Sequence, residues 1–159
     1  MRLYDEHYDE VHSFCARRVG RSDADDAAAE VFSVAWRRID EVDATLARAW
    51  LFGVARKVVL NQWRSSTRRS RLLDKARVAA GASPEQPDAV VVRRAEDEKV
   101  LRALATMRTG DQEILRLAAW EELNGPEIAV ALDISVAAVQ QRLHRAKKRL
   151  ARRLTEETS

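Results

Sequence analysis

Two sets of polar side chains in this sequence are spaced so that each falls on one stripe of a helix. In the first, Lys57, Asn61, Arg64 and Arg68 recur at i, i+4, i+7 and i+11, the interval at which helical side chains share a face. In the second, Ala137, Ala138, Gln141, Arg142, Arg145 and Lys148 fall between the apolar positions Val136, Val139, Leu143, Ala146 and Leu150. Neither set combines a nucleophile, a base and an orienting group, so neither points to an enzyme. Both suit a polyanion. Lysine and arginine neutralise phosphates and release condensed counterions, glutamine and arginine bond to base edges, and small alanines let a helix come close to DNA.

The distribution of charge supports the same chemistry. Of 159 residues, 28 are lysine or arginine and 25 are aspartate or glutamate, a net charge of only +3. The mean hides blocks: six basic against eleven acidic residues in 1–43, nine against one in 44–77, six against eleven in 78–134, and seven against two in 135–159. An acidic half followed by a basic half thus occurs twice. Nucleic acid is the leading partner for two such basic blocks, the alternative for any one of them being a solvated face.

Other classes of function find no support. No apolar run approaches the roughly 18 residues of a membrane span, and the opening residues MRLYDEHYDE lack a signal-peptide core. With a mean hydropathy of −0.41 the chain is expected in the cytoplasm, away from membranes. A single cysteine, Cys15, makes no internal disulfide and reads as a small core residue. The scattered His7, His12 and His144 suit no zinc site, so neither metal nor cofactor is expected.

The elements that must position the two stripes read as all-α, with periods near 3.6 throughout. A helix over about 2–18 stacks Tyr4, Tyr8, Val11 and Cys15, and Gly20 ends it. Ser22 is expected to cap the next helix, whose core stripe is Ala28, Val31, Phe32, Ala35, Trp36 and Ile39. A third helix over about 46–68 buries Leu51, Val54 and Val58, with Trp50 on its apolar side, and carries the first polar stripe. Residues 78–88, VAAGASPEQPD, have the composition of a flexible linker. Helix returns near Ala89 and runs to about Met107, and Thr109 with Gln112 forms a capping box for a further helix.

The strongest local pattern spans 124–150. Asn124 can cap a short helix with Pro126 in its first turn and Glu127 at its third position; Asp133 and Ile134 make a tight turn; Ser135 caps a longer helix. This is a helix-turn-helix, whose second helix enters the major groove with its N-terminal residues at base edges. The fold expected is therefore all-α: two small helical domains joined by a flexible linker, the C-terminal one containing a helix-turn-helix.

At this point the chain resembles the extracytoplasmic-function (ECF) sigma factors of the sigma-70 family. The N-terminal resemblance runs through Leu3-Tyr4, Asp25-Asp26, Glu30-Val31-Phe32, Ala35-Trp36, Trp50-Leu51-Phe52 and Ala55-Arg56 to Arg64. The C-terminal one runs through Glu127-Ile128-Ala129, Leu132, Ile134-Ser135-Val136, Val139, Arg142 to Ala146, and Leu150. The resemblance implies a sigma factor that directs promoter recognition and opening, with residues 1–72 as region 2, 73–89 as linker and 90–159 as region 4.

It further implies that Asp25, Asp26, Glu30 and Arg37 meet the clamp helices of the largest polymerase subunit, and that region 4 meets the beta flap. The minus-10 element would fall to Arg56, Lys57, Asn61, Trp63, Arg64 and Arg68, beside a base pocket in the loop of about Asp40 to Ala47. Trp63 either packs or stacks on a base. The minus-35 element would fall to Ser135, Ala137, Ala138, Gln141, Arg142, Arg145 and Lys148. Many members also have an anti-sigma partner. The chain departs from the family's common residues at Ala29, Lys57, Asn61, Ala137 and Ala138, which bears on the bases read. Two rivals remain: a free-standing helix-turn-helix regulator, which leaves the basic block of 44–77 without a task, and a helical adaptor that binds only protein.

Overall fold

The computed structural model describes residues 2–74 and 95–158, with side chains described in 2–66 and 97–157. The chain divides into two compact units, Met1–Ala89 and Val90–Ser159. The expected linker, 73–89, lies almost wholly outside the described residues. So does the expected helix start near Ala89.

The first unit holds α1 (Arg2–Val19), α2 (Arg21–Arg37) and α3 (Ala47–Asp74), each packed on the other two. Between α2 and α3 run two 3₁₀ turns, Ile39–Glu41 and Ala44–Leu46. The faces that meet are complementary in size. From α2 come Ala24, Ala27, Ala28, Val31 and Ala35, all buried; these small residues let α1 and α3 approach closely enough to fill the centre with Val11, Phe14, Leu51, Phe52 and Val59. Phe14 and Phe52 stack with centroids 5.2 Å apart and planes 16° from parallel. The Arg18 guanidinium lies 3.5 Å from the Phe14 ring centre and that of Arg48 lies 5.1 Å from Phe52. Arg48 also pairs with Glu10, tying α3 to α1. Such a ring pair adds about 0.5–1.5 kcal/mol beyond its buried area, and each cation–ring contact about as much again.

Three expectations for this unit are corrected. Trp36 is not a core residue: it is 65% exposed, because the alanine stripe of α2 is already complete one residue earlier, at Ala35. Ile39 lies beyond the end of α2 and is exposed as well. Ser22 does not cap α2, since the helix begins at Arg21 with Gly20 (φ 85) in the capping position and no side-chain cap. The Gly20 amide closes α1 instead, donating to the Ala16 carbonyl at 3.0 Å; glycine accepts the left-handed backbone that this abrupt reversal needs.

The second unit holds α4 (Ala95–Ala105), α5 (Thr109–Ala119), α6 (Gly125–Leu132) and α7 (Val136–Thr158), with α7 packed on the other three. Leu104, Ile114, Leu117, Ile128 and Val139 form the centre. The capping box on α5 does not form. The helix starts one residue earlier than that motif requires, Arg108 stands at the N-cap, and the Gln112 side chain donates to the Met107 carbonyl at 2.8 Å. Val136, expected inside, opens α7 and is 40% exposed.

The helix-turn-helix forms as its caps require. Asn124 Oδ1 accepts from the Glu127 amide at 2.9 Å while Glu127 Oε1 accepts from the Asn124 amide at 3.0 Å. Ser135 Oγ accepts from the Ala138 amide at 3.1 Å. Between them Asp133 adopts a left-handed backbone, φ 54 and ψ 50, and the Ile134 amide reaches back to the Ala129 carbonyl at 3.0 Å. Asp133→Val is therefore expected to lower stability by about 1–2 kcal/mol, the cost of a left-handed β-branched residue, while Asp133→Gly leaves it equal or higher. Urea denaturation of the full chain checks both. Equal loss from the two substitutions would mean that the turn does not depend on its backbone.

Candidate nucleic-acid interface

On α3 the apolar face of Leu51, Val54, Ala55, Val58 and Val59 is buried, which turns the polar stripe outward. Lys57, Asn61 and Arg64 are exposed, and none has a hydrogen-bond or ion-pair partner among the described residues. Arg56, one position round the helix, is half-buried and its Nε is buried without a hydrogen-bond partner. Arg68 lies on the same helix, but its side chain falls outside the described residues. From residue 44 to residue 73 the sequence holds no acidic residue, so nothing local cancels this field.

Trp63 is placed differently from its neighbours. It is half-buried and its indole N–H donates to the Arg18 carbonyl at 3.1 Å. That bond satisfies a carbonyl left without a helical donor at the end of α1, and it holds the ring against the bundle. The structure thus favours packing over stacking on a base at this residue.

The loop between α2 and α3 is braced from both sides. Arg38 donates from Nε and Nη2 to Glu41 Oε2, at 2.9 and 2.7 Å, and its guanidinium lies 5.7 Å from the Trp50 ring centre. Asp43 Oδ1 accepts from the Thr45 amide at 3.0 Å and from its hydroxyl at 2.8 Å. The Thr45 amide, and then its hydroxyl, hold the Asp43 carboxyl below its ordinary value of 3.8. A loop held by its own side chains enters α3 in a fixed conformation.

On α7, Val139 and Ala146 are fully buried while Ser135, Ala137, Gln141, Arg142, Arg145 and Lys148 are exposed and Ala138 is half-buried. Gln141, Arg142, Arg145 and Lys148 have no side-chain partner among the described residues. They stand free beyond a helix start whose Ala138 amide is capped by Ser135, the geometry a helix needs to enter a groove and exchange bonds with base edges and phosphates.

The acidic set on α2 divides in two. Asp25 is engaged: its Oδ1 lies 2.7 Å from His12 Nε2 of α1. Asp26, Glu30 and Arg37 are exposed and have no partner among the described residues. The sequence reading missed an apolar feature, a groove of about 130 Å³ lined by Leu3, Tyr4, Phe32, Ala35, Trp36 and Ile39. Spacing along α2 gave no signal of it, since Trp36 adjoins the buried Ala35 and only the packing of α1 and α3 leaves the ring outside.

Among the described residues no group of three or more histidine, cysteine, aspartate or glutamate side chains could hold a metal ion, and no helix is long and apolar enough to cross a membrane. Residues 3–69 match the family Sigma-70 region 2, and residues 97–150 match Sigma-70, region 4. No curated protein matches the sequence closely enough to count as a relative. Among solved structures, the fold is similar to that of the sigma factor RpoE in complex with the anti-sigma factor NepR from Bartonella quintana: TM-score 0.65, 18% identity, covering 96% of this chain and 94% of that one. It is also similar to CnrH in complex with the cytosolic domain of CnrY: TM-score 0.61, 24% identity, covering 99% of this chain and 88% of that one.

The braced loop carries a test. Because the Asp43 carboxyl titrates below its unfolded value, its cap stabilises the loop above that value and is lost as pH falls through the folded one. The Thr45 amide resonance should titrate with a midpoint below 3.8, and Asp43→Asn should abolish the titration. A midpoint at or above the ordinary value would show that the cap does not form.

Proposed function

Since the chain belongs to the sigma-70 family, in the extracytoplasmic-function form that joins region 2 to region 4 through residues 70–96 alone, we propose how its surfaces divide the work of a sigma factor. It is an RNA polymerase sigma factor of transcription initiation. The observation that carries the assignment of surfaces is that one chain holds two separate stripes of unengaged cations, on α3 and on α7, each backed by a buried apolar face.

In this reading residues 1–72 hold the polymerase and the minus-10 element, 73–89 are the linker, and 90–159 hold the minus-35 element. Asp26, Glu30 and Arg37 meet the clamp helices, with Trp36 and Ile39 supplying apolar anchorage beside them. Asp25, already bound to His12, contributes the least of the four acidic-face residues named from the sequence. Region 4 also meets the beta flap. A base from the minus-10 element enters the recess of the Asp40 to Ala47 loop, while Arg56, Lys57, Asn61, Arg64 and Arg68 hold the strand's phosphates. Trp63 supports α3 from beneath.

Binding alone suffices to open the element. Unstacking a base costs a few kcal/mol, and hydrogen bonds to the extruded base together with salt-dependent phosphate contacts offset it. Sigma factors are not enzymes, and nothing in this step asks for a covalent intermediate. At the minus-35 element α7 enters the major groove. Ser135, Ala137 and Ala138 approach the backbone closely, and Gln141, Arg142, Arg145 and Lys148 divide base edges and phosphates between them. The solved structures hold RpoE with the anti-sigma factor NepR and CnrH with the cytosolic domain of CnrY; an anti-sigma partner for this chain would mask the same exposed faces. The place of action is the cytoplasm, where polymerase and promoter meet.

Run-off transcription with purified core polymerase, followed by mapping of start sites, tests the assignment. Initiation should depend on this chain, and the chain without core should bind promoter DNA without marked specificity. Arg145→Ala should reduce discrimination at the minus-35 element by about 1–3 kcal/mol, the loss of one base-reading side chain. Trp36→Ala should weaken core binding by about 2 kcal/mol, the scale of a buried tryptophan anchor, with promoter preference unchanged. Undiminished core binding by that variant would remove the apolar groove from the polymerase face.

A further inference from the structure

The cations of the second unit do not all lie on the face that reads DNA. Between the start of α5 and the second half of α7 is a cavity of about 390 Å³, walled by Arg108, Arg149, Arg152 and Arg153 with Asp111 and Glu156 among them. The four guanidinium groups differ in how they are held. Arg149 Nη1 donates to Asp111 Oδ2 at 2.7 Å, and that carboxylate, only 15% exposed, is thereby neutralised. Arg153 Nη1 donates to the Thr106 hydroxyl at 2.8 Å, which fixes its position and leaves its charge intact. Arg108 and Arg152 have no partner among the described residues. Three uncompensated guanidiniums therefore face one free carboxylate, Glu156, around a concave space whose protein walls concentrate the field.

We propose that this cavity binds the phosphate chain of a small anion, either a nucleoside polyphosphate or inorganic polyphosphate. Guanidinium forks bond tetrahedral oxyanions two oxygens at a time, and two of the four here are already held in place, which lowers the ordering cost of binding. The volume falls within the range of about 300–1,000 Å³ usual for small-molecule sites, whereas an acidic protein segment would call for an open ridge. DNA is the less suitable occupant. Arg152 follows Ala137 by fifteen residues, which places it about 22 Å further along the helix axis, well away from the end that enters the groove.

Isothermal titration of the full chain at low salt, with inorganic tripolyphosphate and separately with ATP, tests the site without polymerase or promoter and so independently of the sigma-factor assignments above. Tripolyphosphate should bind, and the affinity should fall as salt rises. Arg108→Gln combined with Arg152→Gln should weaken it at least about tenfold, the scale of one lost charge-assisted contact. Glu156→Gln should tighten it several-fold, an effect of opposite sign that no loss of folding can imitate, and Arg145→Gln should leave it unchanged. ATP binding more tightly than tripolyphosphate identifies a nucleoside polyphosphate as the ligand; equal affinities identify the phosphate chain alone. Absence of binding at millimolar tripolyphosphate overturns the proposal. So does loss of tripolyphosphate binding in Arg145→Gln.

Discussion

A cation that is to hold a phosphate must be left without a partner inside its own domain, and the structure is organised around that constraint. Arginines that brace the fold are engaged: Arg18 on Phe14, Arg48 with Glu10, Arg38 with Glu41. Those expected to reach DNA, Arg64, Arg142 and Arg145 with Lys57 and Lys148, have no such partner among the described residues. Exposed like charges repel one another modestly in water, so each row needs a stiff support that does not depend on ion pairs. The apolar faces of α3 and α7 supply it, through Leu51, Val58 and Val59 in one unit and Val139 and Ala146 in the other.

The acidic side of the chain obeys the converse rule. Asp111 and Asp25 each accept a bond from a basic side chain of another helix, and Glu10 pairs with Arg48 across α1 and α3. What remains unengaged on α2 is small in number and sits beside Trp36 and Ile39, both exposed. One short helix thus carries a buried alanine stripe toward the bundle and a mixed acidic and aromatic stripe outward. The alanines matter to both, because they bring α1 and α3 near without using the bulk that Trp36 displays to the outside.

In the second unit the same separation of tasks is made by caps. Asn124, Glu127 and Ser135 satisfy the amides at the starts of α6 and α7, and Asp133 supplies the reversal between them at the cost of a left-handed backbone. The orientation of α7 is therefore set by short-range bonds. Its packing against α4, α5 and α6 then holds that orientation.

How far the residues foretold this depends on the range of each interaction. Helix periods, the Asn124 box, the Ser135 cap and the outward stripes of α3 and α7 were all legible, because each arises from residues within one or two turns of one another. The sequence by itself therefore determined the helical class, the helix-turn-helix and the alternation of acidic and basic blocks. Only the tertiary structure decided which polar groups are free. His12 meets Asp25 across 13 residues, Asp111 meets Arg149 across 38, and the Trp63 indole meets the Arg18 carbonyl across 45. The exposure of Trp36 and the cavity between α5 and α7 belong with these. Each depends on where a second helix comes to rest, and the spacing of side chains along one helix carries no record of that.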